Sequence, residues 1–477
     1  MGFVGRDLEV RELNRIVKRR GAQFVLVYGR RRVGKTTLIL NWAKQSGRPM
    51  IYWVANRDTP VQLRLGLMRA VWRWAHPDSQ AVPRFESWEE VFEAIADLIG
   101  SQPVVFILDE FSYAVESDAS LPSYLQAAWD HRFKDSQVTL VLSGSHIGMM
   151  VNLTAYDAPL YGRFTAQLPV DPLPFTALEE FLPRYAAAER VAVYAVTGGV
   201  PAYLERFDDT VSIGQNIRDL FISRSGIFRN EPFLLIGDVV RRETQNYEAI
   251  LKSIAAGNNT PQEIGKTLGH PSSYLSPYLK QLELLRLVHR SIPATISPEK
   301  REDTKISRYH LVDPYLRFYF RFIAPNLNMV EQNLSETLWE EISDQFRAFI
   351  GATVFEELCR EWVLAQARAK ELPFSPQHVG SHWGPDAQVD VVAVNWREKA
   401  ILLGECKWGV DDVGRSVIRE LAEKAPKVVP GTDWHVHYVF FARAGFTQAA
   451  IEECKTLDAQ WVDLHRIEQD LKRNLAI

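Results

Sequence analysis

The sequence predicts an α/β multidomain chain, and three observations carry that reading. The apolar run Val25-Leu-Val-Tyr28 opens into the glycine-bounded loop Gly29-Arg-Arg-Arg-Val-Gly34 and then into Lys35-Thr-Thr-Leu-Ile39. That is a strand, a loop and a helix start in the order a parallel sheet requires. Apolar strands then alternate with helical segments to about residue 235, the pattern of a sheet covered on both faces. Beyond residue 345, two further apolar strands carry charges, Asp390 in one and Glu405 with Lys407 in the other. At 477 residues the chain is too long for one core, so several domains are expected. The composition shifts divide it into blocks 1–235, 236–335 and 345–477.

Composition sets limits on function. Charged residues are 24% and hydrophobic ones 46%, an ordinary soluble balance. No apolar run approaches the roughly 20 residues that span a bilayer, and the N-terminus shows no signal pattern, so no membrane partner is expected. Cys359, Cys406 and Cys454 are widely spaced and match no metal or disulfide framework, which fits a reducing cytoplasm. Net charge is −4, so any nucleic-acid site must be local.

Gly29, Gly34, Lys35 and Thr36 complete the pattern G-x-x-x-x-G-K-[ST] of a P-loop. Each part has a chemical reason. Backbone N–H groups surround the α and β phosphates of a nucleotide, and small residues let the backbone approach. Lys35 reaches the β and γ phosphates, and the Thr36 hydroxyl, followed by Thr37, can ligate Mg²⁺. ATP and Mg²⁺ are therefore the expected cofactors. A second apolar run, Val104-Val-Phe-Ile-Leu108, ends in Asp109 and Glu110. Asp109 is placed to hold the metal and Glu110 to deprotonate an attacking water. A third strand, Val138 to Leu142, ends in Ser143-Gly-Ser145, polar groups within reach of a γ-phosphate. Thr176-Ala-Leu-Glu179 reads as a capping box, and Thr197-Gly-Gly-Val-Pro201 interrupts the helices that follow.

The second block reads as a winged helix-turn-helix. Tyr247 to Ala256 is its first helix. Thr260-Pro-Gln-Glu263 caps a second, and Ser273 to Leu287 forms a recognition-like third. Val288-His-Arg290 and Ser307 to Leu311 are wing strands around a polar loop at 297–305. From Gly237 to Pro325 there are 13 Lys/Arg and 9 Asp/Glu, a net of +4. That charge is compatible with duplex contact and equally with a protein-binding module.

In the third block Phe346 to Ala367 reads as an amphipathic helix with Glu356, Glu357 and Glu361. Gln388 to Ala393 and Ala400 to Trp408 read as strands. Period 2 puts Glu405 and Lys407 on one face. With Asp390 opposite, they form a carboxylate pair for Mg²⁺ and a cation beside the attacking water, as metal-assisted phosphodiester hydrolysis requires. The plainer alternative is a Glu405–Lys407 ion pair on a solvated face.

Phe3-Val-Gly-Arg-Asp-Leu-Glu9, the P-loop, Leu108-Asp-Glu-Phe111 and Gly198-Gly-Val-Pro201 together resemble the archaeal-type ATPases of the STAND/AAA+ group. The third block resembles the DUF234 domain often fused to them, a member of the PD-(D/E)xK, restriction-endonuclease-like superfamily. The resemblance implies that Arg6 and Pro201 lie near the nucleotide base. It implies that Arg163, in Leu160-Tyr-Gly-Arg-Phe164, is a sensor or finger arginine on the γ-phosphate, within the subunit or across an interface. It implies that Glu356, Asp390, Glu405 and Lys407 form a nuclease quartet. One departure is Gln388, where relatives often carry an acid.

The expected function is ATP binding and hydrolysis controlling a Mg²⁺-dependent DNA endonuclease, with defence against foreign DNA as a natural role. The alternative is a nucleotide-dependent switch or scaffold without nuclease activity. DNA, and a second copy of the chain joined through the ATPase block, are the expected partners.

Overall fold

The computed structural model describes residues 3–79, 81–239, 244–302, 304 and 306–475. These group into two compact units. The first takes the described residues of Met1–Leu173, Val200–Glu205 and Phe233–Arg241, and the second those of Pro174–Gly199, Arg206–Pro232 and Arg242–Ile477.

The first unit is built on five strands, β1 (Gln23–Tyr28), β2 (Met50–Val54), β3 (Val105–Asp109), β4 (Thr139–Gly144) and β5 (Ala166–Pro169). All pair in parallel, in the order β2-β3-β4-β1-β5. Every residue of β1, β3 and β4 is buried, which explains why these strands read as continuous apolar runs. Alternate residues still serve different faces. Val25, Val27, Ile107 and Val141 pack with Leu13, Leu38 and Trp42 on one side. Phe24, Leu26, Phe106, Leu108 and Leu140 pack with Leu63, Phe92 and Trp129 on the other. This five-stranded parallel sheet with helices fits a P-loop NTPase fold. Its central strands β1, β3 and β4 deliver their carboxyl ends side by side, and nucleotide chemistry in such sheets is done at that edge.

In the second unit, helices Thr244–Ala255, Pro261–Leu268 and Ser272–Leu284 precede an antiparallel ribbon of β6 (Val288–Ser291) and β7 (Arg308–Leu311). The expected Thr260 capping box forms. The Thr260 hydroxyl accepts from the Glu263 N–H at 3.3 Å, and the Glu263 carboxylate accepts from the Thr260 N–H at 2.9 Å. The ribbon's connection is not wholly irregular, for it holds a short helix, Pro298–Arg301. Residues 303 and 305 of that expected loop lie outside the described residues.

A second sheet follows, with β8 (His378–Trp383), β9 (Gln388–Asn395), β10 (Ala400–Lys407), β11 (His435–Ala442) and β12 (Gln460–Asp463), in the order β12-β11-β10-β9-β8. The pairs β8/β9 and β9/β10 are antiparallel; β10/β11 and β11/β12 are parallel. The helix Arg415–Val428 makes the crossover between β10 and β11, packing Ile418 and Leu421 on Ile401, Leu403 and Phe440. The edge strand β8 is covered. Ala294 N–H donates to Ser381 O at 2.9 Å, and the Thr295 hydroxyl meets His382 Nδ1 at 2.7 Å. Edge coverage of this kind blocks pairing with other chains.

Two helices differ from expectation. The Thr176–Glu179 capping box does not form, because Thr176 is itself inside a 3₁₀ turn, Phe175–Ala177, that leads into Leu178–Phe181. The helix expected from Phe346 to Ala367 starts earlier and is interrupted. It runs Ser335–Ile350, passes through a π-helical turn at Gly351–Phe355, and continues as Glu356–Arg368. No described helix is long and apolar enough to cross a membrane.

Candidate functional site

The first site forms at the carboxyl ends of β1, β3 and β4. Gly29 begins the loop because nothing larger fits: a Cβ there would lie 2.2 Å from the Val170 carbonyl oxygen. Gly34 ends it with φ +88°, the left-handed region open to glycine. Helix Lys35–Gln45 starts at once, so its first N–H groups point back into the loop and Thr36 and Thr37 lie in its first turn. The two residues implied by resemblance to lie near a base are brought to this loop. Arg6, which is buried, donates to Val33 O at 2.6 Å, and the Pro201 ring lies 3.9 Å from the position of a Cβ on Gly34.

One connected network joins the polar groups. Lys35 Nζ donates to Gly29 O (2.9 Å), Arg30 O (3.0 Å) and Ser145 Oγ (2.9 Å). Ser145 Oγ donates to Glu110 Oε1 at 2.6 Å, and Ser145 N–H donates to Glu110 Oε2 at 3.2 Å. Thr36 Oγ1 donates to Asp109 Oδ2 at 2.7 Å. Burial pushes the Lys35 ammonium down to about 8, against the charges of Glu110 and Asp109. Glu110 sits at φ +49°. A non-glycine residue there is strained, and such strain persists where the surroundings hold it.

Tyr52 was not legible as part of this site. Its hydroxyl donates to Asp109 Oδ2 at 3.1 Å, and burial followed by the Asp109 charge raises it above the ordinary phenol range. It reaches Asp109 only because β2 pairs with β3, an order that no local motif encodes. The Thr36 hydroxyl and the buried Asp109 carboxylate form an all-oxygen pair of the kind Mg²⁺ takes. Arg163 stands apart from the network. Its guanidinium donates to both Asp130 oxygens (2.7–3.1 Å) and to the carbonyls of Pro159 and Tyr161. The segment before it is a run of turns rather than a helix aimed at the loop.

The second candidate site lies where β9 and β10 separate. Their last pair is Val391 with Gly404, and Asp390 and Glu405 come one step later. Cys406 N–H donates to Asp390 Oδ2 at 3.0 Å. Lys407 Nζ donates to Glu405 Oε1 at 2.8 Å, so the expected same-face pair is present. Glu405 Oε2 is buried with no hydrogen-bond partner, and Lys424 Nζ stands 3.9 Å from it. Burial, then the Glu405 charge, raises the Asp390 carboxyl. Glu356 begins the helix after the π turn. Burial and the Asp390 charge push it up to about 8, although Arg360 donates to it at 3.3 Å. Arg360 also donates to Asp390 O at 2.9 Å, a link absent from the motif. A buried carboxylate oxygen that accepts no hydrogen bond, beside the raised Asp390 carboxyl, suits a divalent cation. Among the described residues, however, no three His, Cys, Asp or Glu side chains converge on one ion, and Gln388 is exposed at the start of β9.

Residues 3–207 match a family described as an ATPase domain predominantly from Archaea. Residues 319–417 match DUF234, described as "Archaea bacterial proteins of unknown function". Among solved structures, the chain is similar to the Walker-type ATPase PABY2304 of Pyrococcus abyssi (19% identity, 67% of this chain and 96% of that one, TM-score 0.49). It is also similar to the ORC2 protein of Aeropyrum pernix in ADPNP–ADP complexes (15% identity, 69% and 95%, TM-score 0.44). Over 448 residues it is 31% identical to the uncharacterized protein MJECL04 of Methanocaldococcus jannaschii, covering 92% of this chain and 95% of that one. The chain belongs to the family of that archaeal protein, with an archaeal-type ATPase domain at its N-terminal end and a DUF234 domain toward its C-terminal end.

Proposed function

We propose that the ATPase domain governs a Mg²⁺-dependent DNA endonuclease site made by Asp390, Glu405 and Lys407. In the first unit, Lys35 bears on the β and γ phosphates, Arg6 and Pro201 flank the base, and Thr36 and Asp109 hold Mg²⁺. The ion would supply charge neutralisation on the phosphates. Glu110 takes the proton of the attacking water once nucleotide frees it from Ser145. In the second unit, Asp390 and Glu405 would hold Mg²⁺, Lys407 steadies the nucleophile or the phosphate, and Glu356 completes the quartet. The three-helix and ribbon segment 244–311 serves as a winged helix that positions DNA.

The observation that carries this reading is the buried Glu405 oxygen that accepts no hydrogen bond, beside Asp390 and Lys407 at the parting of two strands. Three antiparallel strands followed by a crossover helix and a parallel fourth also support it. The test is incubation of the full chain with supercoiled DNA, linear duplex, single-stranded DNA and RNA and Mg²⁺, with and without ATP. Mg²⁺-dependent cuts whose rate changes with ATP are expected. One observation favours the second reading, a nucleotide-dependent switch or scaffold: the site offers fewer than three converging metal ligands among the described residues. Absence of cutting under every nucleotide and metal condition would select it.

Glu110→Gln can keep one of the two hydrogen bonds from Ser145 and removes the base. It should bind ATP as wild type does and hydrolyse it slower by roughly two orders of magnitude. Normal turnover would assign the base to another group. Arg163→Ala tests a different role from the one the resemblance implies. With its guanidinium held by Asp130, the substitution should cost about 1 kcal/mol and lower the melting temperature by about 2–4 °C. ADP and ATP affinities should fall equally. Unchanged melting with slowed hydrolysis would restore the γ-phosphate role.

A further inference from the structure

The second unit contains a cavity of about 1350 Å³ that extends well beyond the second candidate site. Its lining runs from the β6–β7 ribbon, past the edge strand β8, to Glu356 and Asp390. Seven arginines and five carboxylates face it. Two of the arginines have carboxyl partners: Arg317 meets Glu357 at 2.6 Å and Arg360 meets Glu356 at 3.3 Å. Among the described residues, Arg290, Arg301, Arg308 and Arg321 have no carboxylate partner. Arg290 donates to Thr304 O (2.8 Å), Arg301 to Pro293 O (3.3 Å) and Arg321 to Ala256 O (3.3 Å). Arg308 lies over the Trp383 ring at 4.9 Å. Carbonyl contacts of this kind orient a guanidinium without cancelling its charge.

The field of these arginines is felt by the histidines among them. Burial, then Arg317, Arg308 and Arg360, push His310 down to about 4. Burial, then Arg301, lowers His378. Net positive charge in a walled space suits a polyanion. The volume is larger than the roughly 300–1,000 Å³ of a small-molecule pocket. The half-buried Trp383 ring adds an aromatic surface to the same lining. Arginine interleaved with aromatic rings is the recognition chemistry of unstacked bases on an exposed backbone. A duplex hides its base faces and presents only phosphate to such walls.

We propose that this cleft binds single-stranded nucleic acid and leads its backbone toward Asp390 and Glu356. The second unit then acts on single-stranded ends, flaps or bubbles rather than on intact duplex. That last step rests on the endonuclease reading; the binding does not. Arg290 and Arg308 make the entrance on the ribbon, and Trp383 is the stacking platform.

The test is fluorescence anisotropy with the full chain in EDTA, where no Mg²⁺-dependent cutting occurs. The probes are a labelled twelve-residue oligothymidylate, the matching oligouridylate and a blunt duplex of equal length. At least one single strand should bind tenfold or more tighter than the duplex, and the DNA and RNA arms tell which sugar is preferred. Arg290→Ala with Arg308→Ala should weaken that binding at least tenfold and flatten the salt dependence by about 1.4 in log–log slope, the value for two lost phosphate contacts on a single strand. Trp383→Leu should cost roughly tenfold. The double lysine variant, Arg290→Lys with Arg308→Lys, should retain most affinity, and unchanged ATPase activity and melting show that the chain is folded. Duplex bound as tightly as either single strand, or folded alanine variants that bind like wild type, would overturn the proposal. Single-strand binding without cleavage would leave the cleft in place and remove the endonuclease reading. Cleavage with no single-strand preference would do the reverse.

Discussion

Lys35→Ala should hydrolyse no ATP above background, a loss of at least two to three orders of magnitude if the ammonium has the usual worth of a charge on a transferring phosphoryl group. The structure explains why no neighbour substitutes. Lys35 is buried and its ammonium bridges the loop carbonyls of Gly29 and Arg30 to Ser145. Arg30 and Arg31 are turned to tyrosines instead, with Arg30 donating to the Tyr203 hydroxyl at 2.9 Å and Arg31 bonded to the Tyr113 hydroxyl. Removing the ammonium also unties Ser145 from the loop and leaves the Ser145–Glu110 bonds in place, so the base stays parked. Phosphate release and ATP titration measure the two consequences separately. Wild-type turnover in this variant would dismiss the assignment of the site.

Asp390→Asn should abolish Mg²⁺-dependent cleavage and at the same time raise the melting temperature of the chain. The first follows from the loss of a proposed metal-binding charge, the second from burial and the Glu405 charge, which disfavour the Asp390 carboxylate. An amide of equal volume can still accept from Cys406 N–H, so the strand pairing survives while a disfavoured charge disappears. Lys407→Ala is the companion. It removes a cation that is 40% exposed but leaves the buried Glu405 carboxylate without its hydrogen bond, so the melting temperature should fall rather than rise. Cleavage should be lost in both variants and ATP hydrolysis kept in both. Mg²⁺ titration should fail mainly for Asp390→Asn, since an ammonium is no ligand. Equal cutting by wild type and both variants would move the catalytic site elsewhere.

What the sequence made legible was local and contiguous. The P-loop could be read because its chemistry is packed into eight residues, Gly29 to Thr36. The strands of the first unit could be read because burial on both faces leaves unbroken apolar runs. Tyr52 and the Ser145 bridge could not be read, because each depends on which strands become neighbours. β2 beside β3 brings Tyr52 to Asp109, and β4 between β3 and β1 brings Ser145 between Glu110 and Lys35. The role of Arg163 rests on resemblance, and its neighbour Asp130 lies 33 residues away on a helix with no motif of its own. In the second unit Asp390, Glu405 and Lys407 showed themselves as charges in apolar strands. The arginine cleft did not, because its cations are spread from residue 286 to residue 360 in a chain of negative net charge.

The π turn at Gly351–Phe355 works as a phase shifter. Leu338, Ile342, Phe346, Ile350, Val354, Leu358 and Trp362 are buried at strict four-residue intervals. In an unbroken α-helix that interval creeps about 40° per step around the axis. The wider turn absorbs part of the creep, keeping one stripe inward while setting Glu356 and Arg360 on its flank, at the wall of the cleft. Loss of one residue there would let the backbone relax to α geometry and leave everything after it at nearly the same angle, one number earlier in the chain. Position counts across that turn therefore do not carry over between relatives of differing length. The acid corresponding to Glu356 has to be found by its angle around the helix, and its number in the chain is a poor guide.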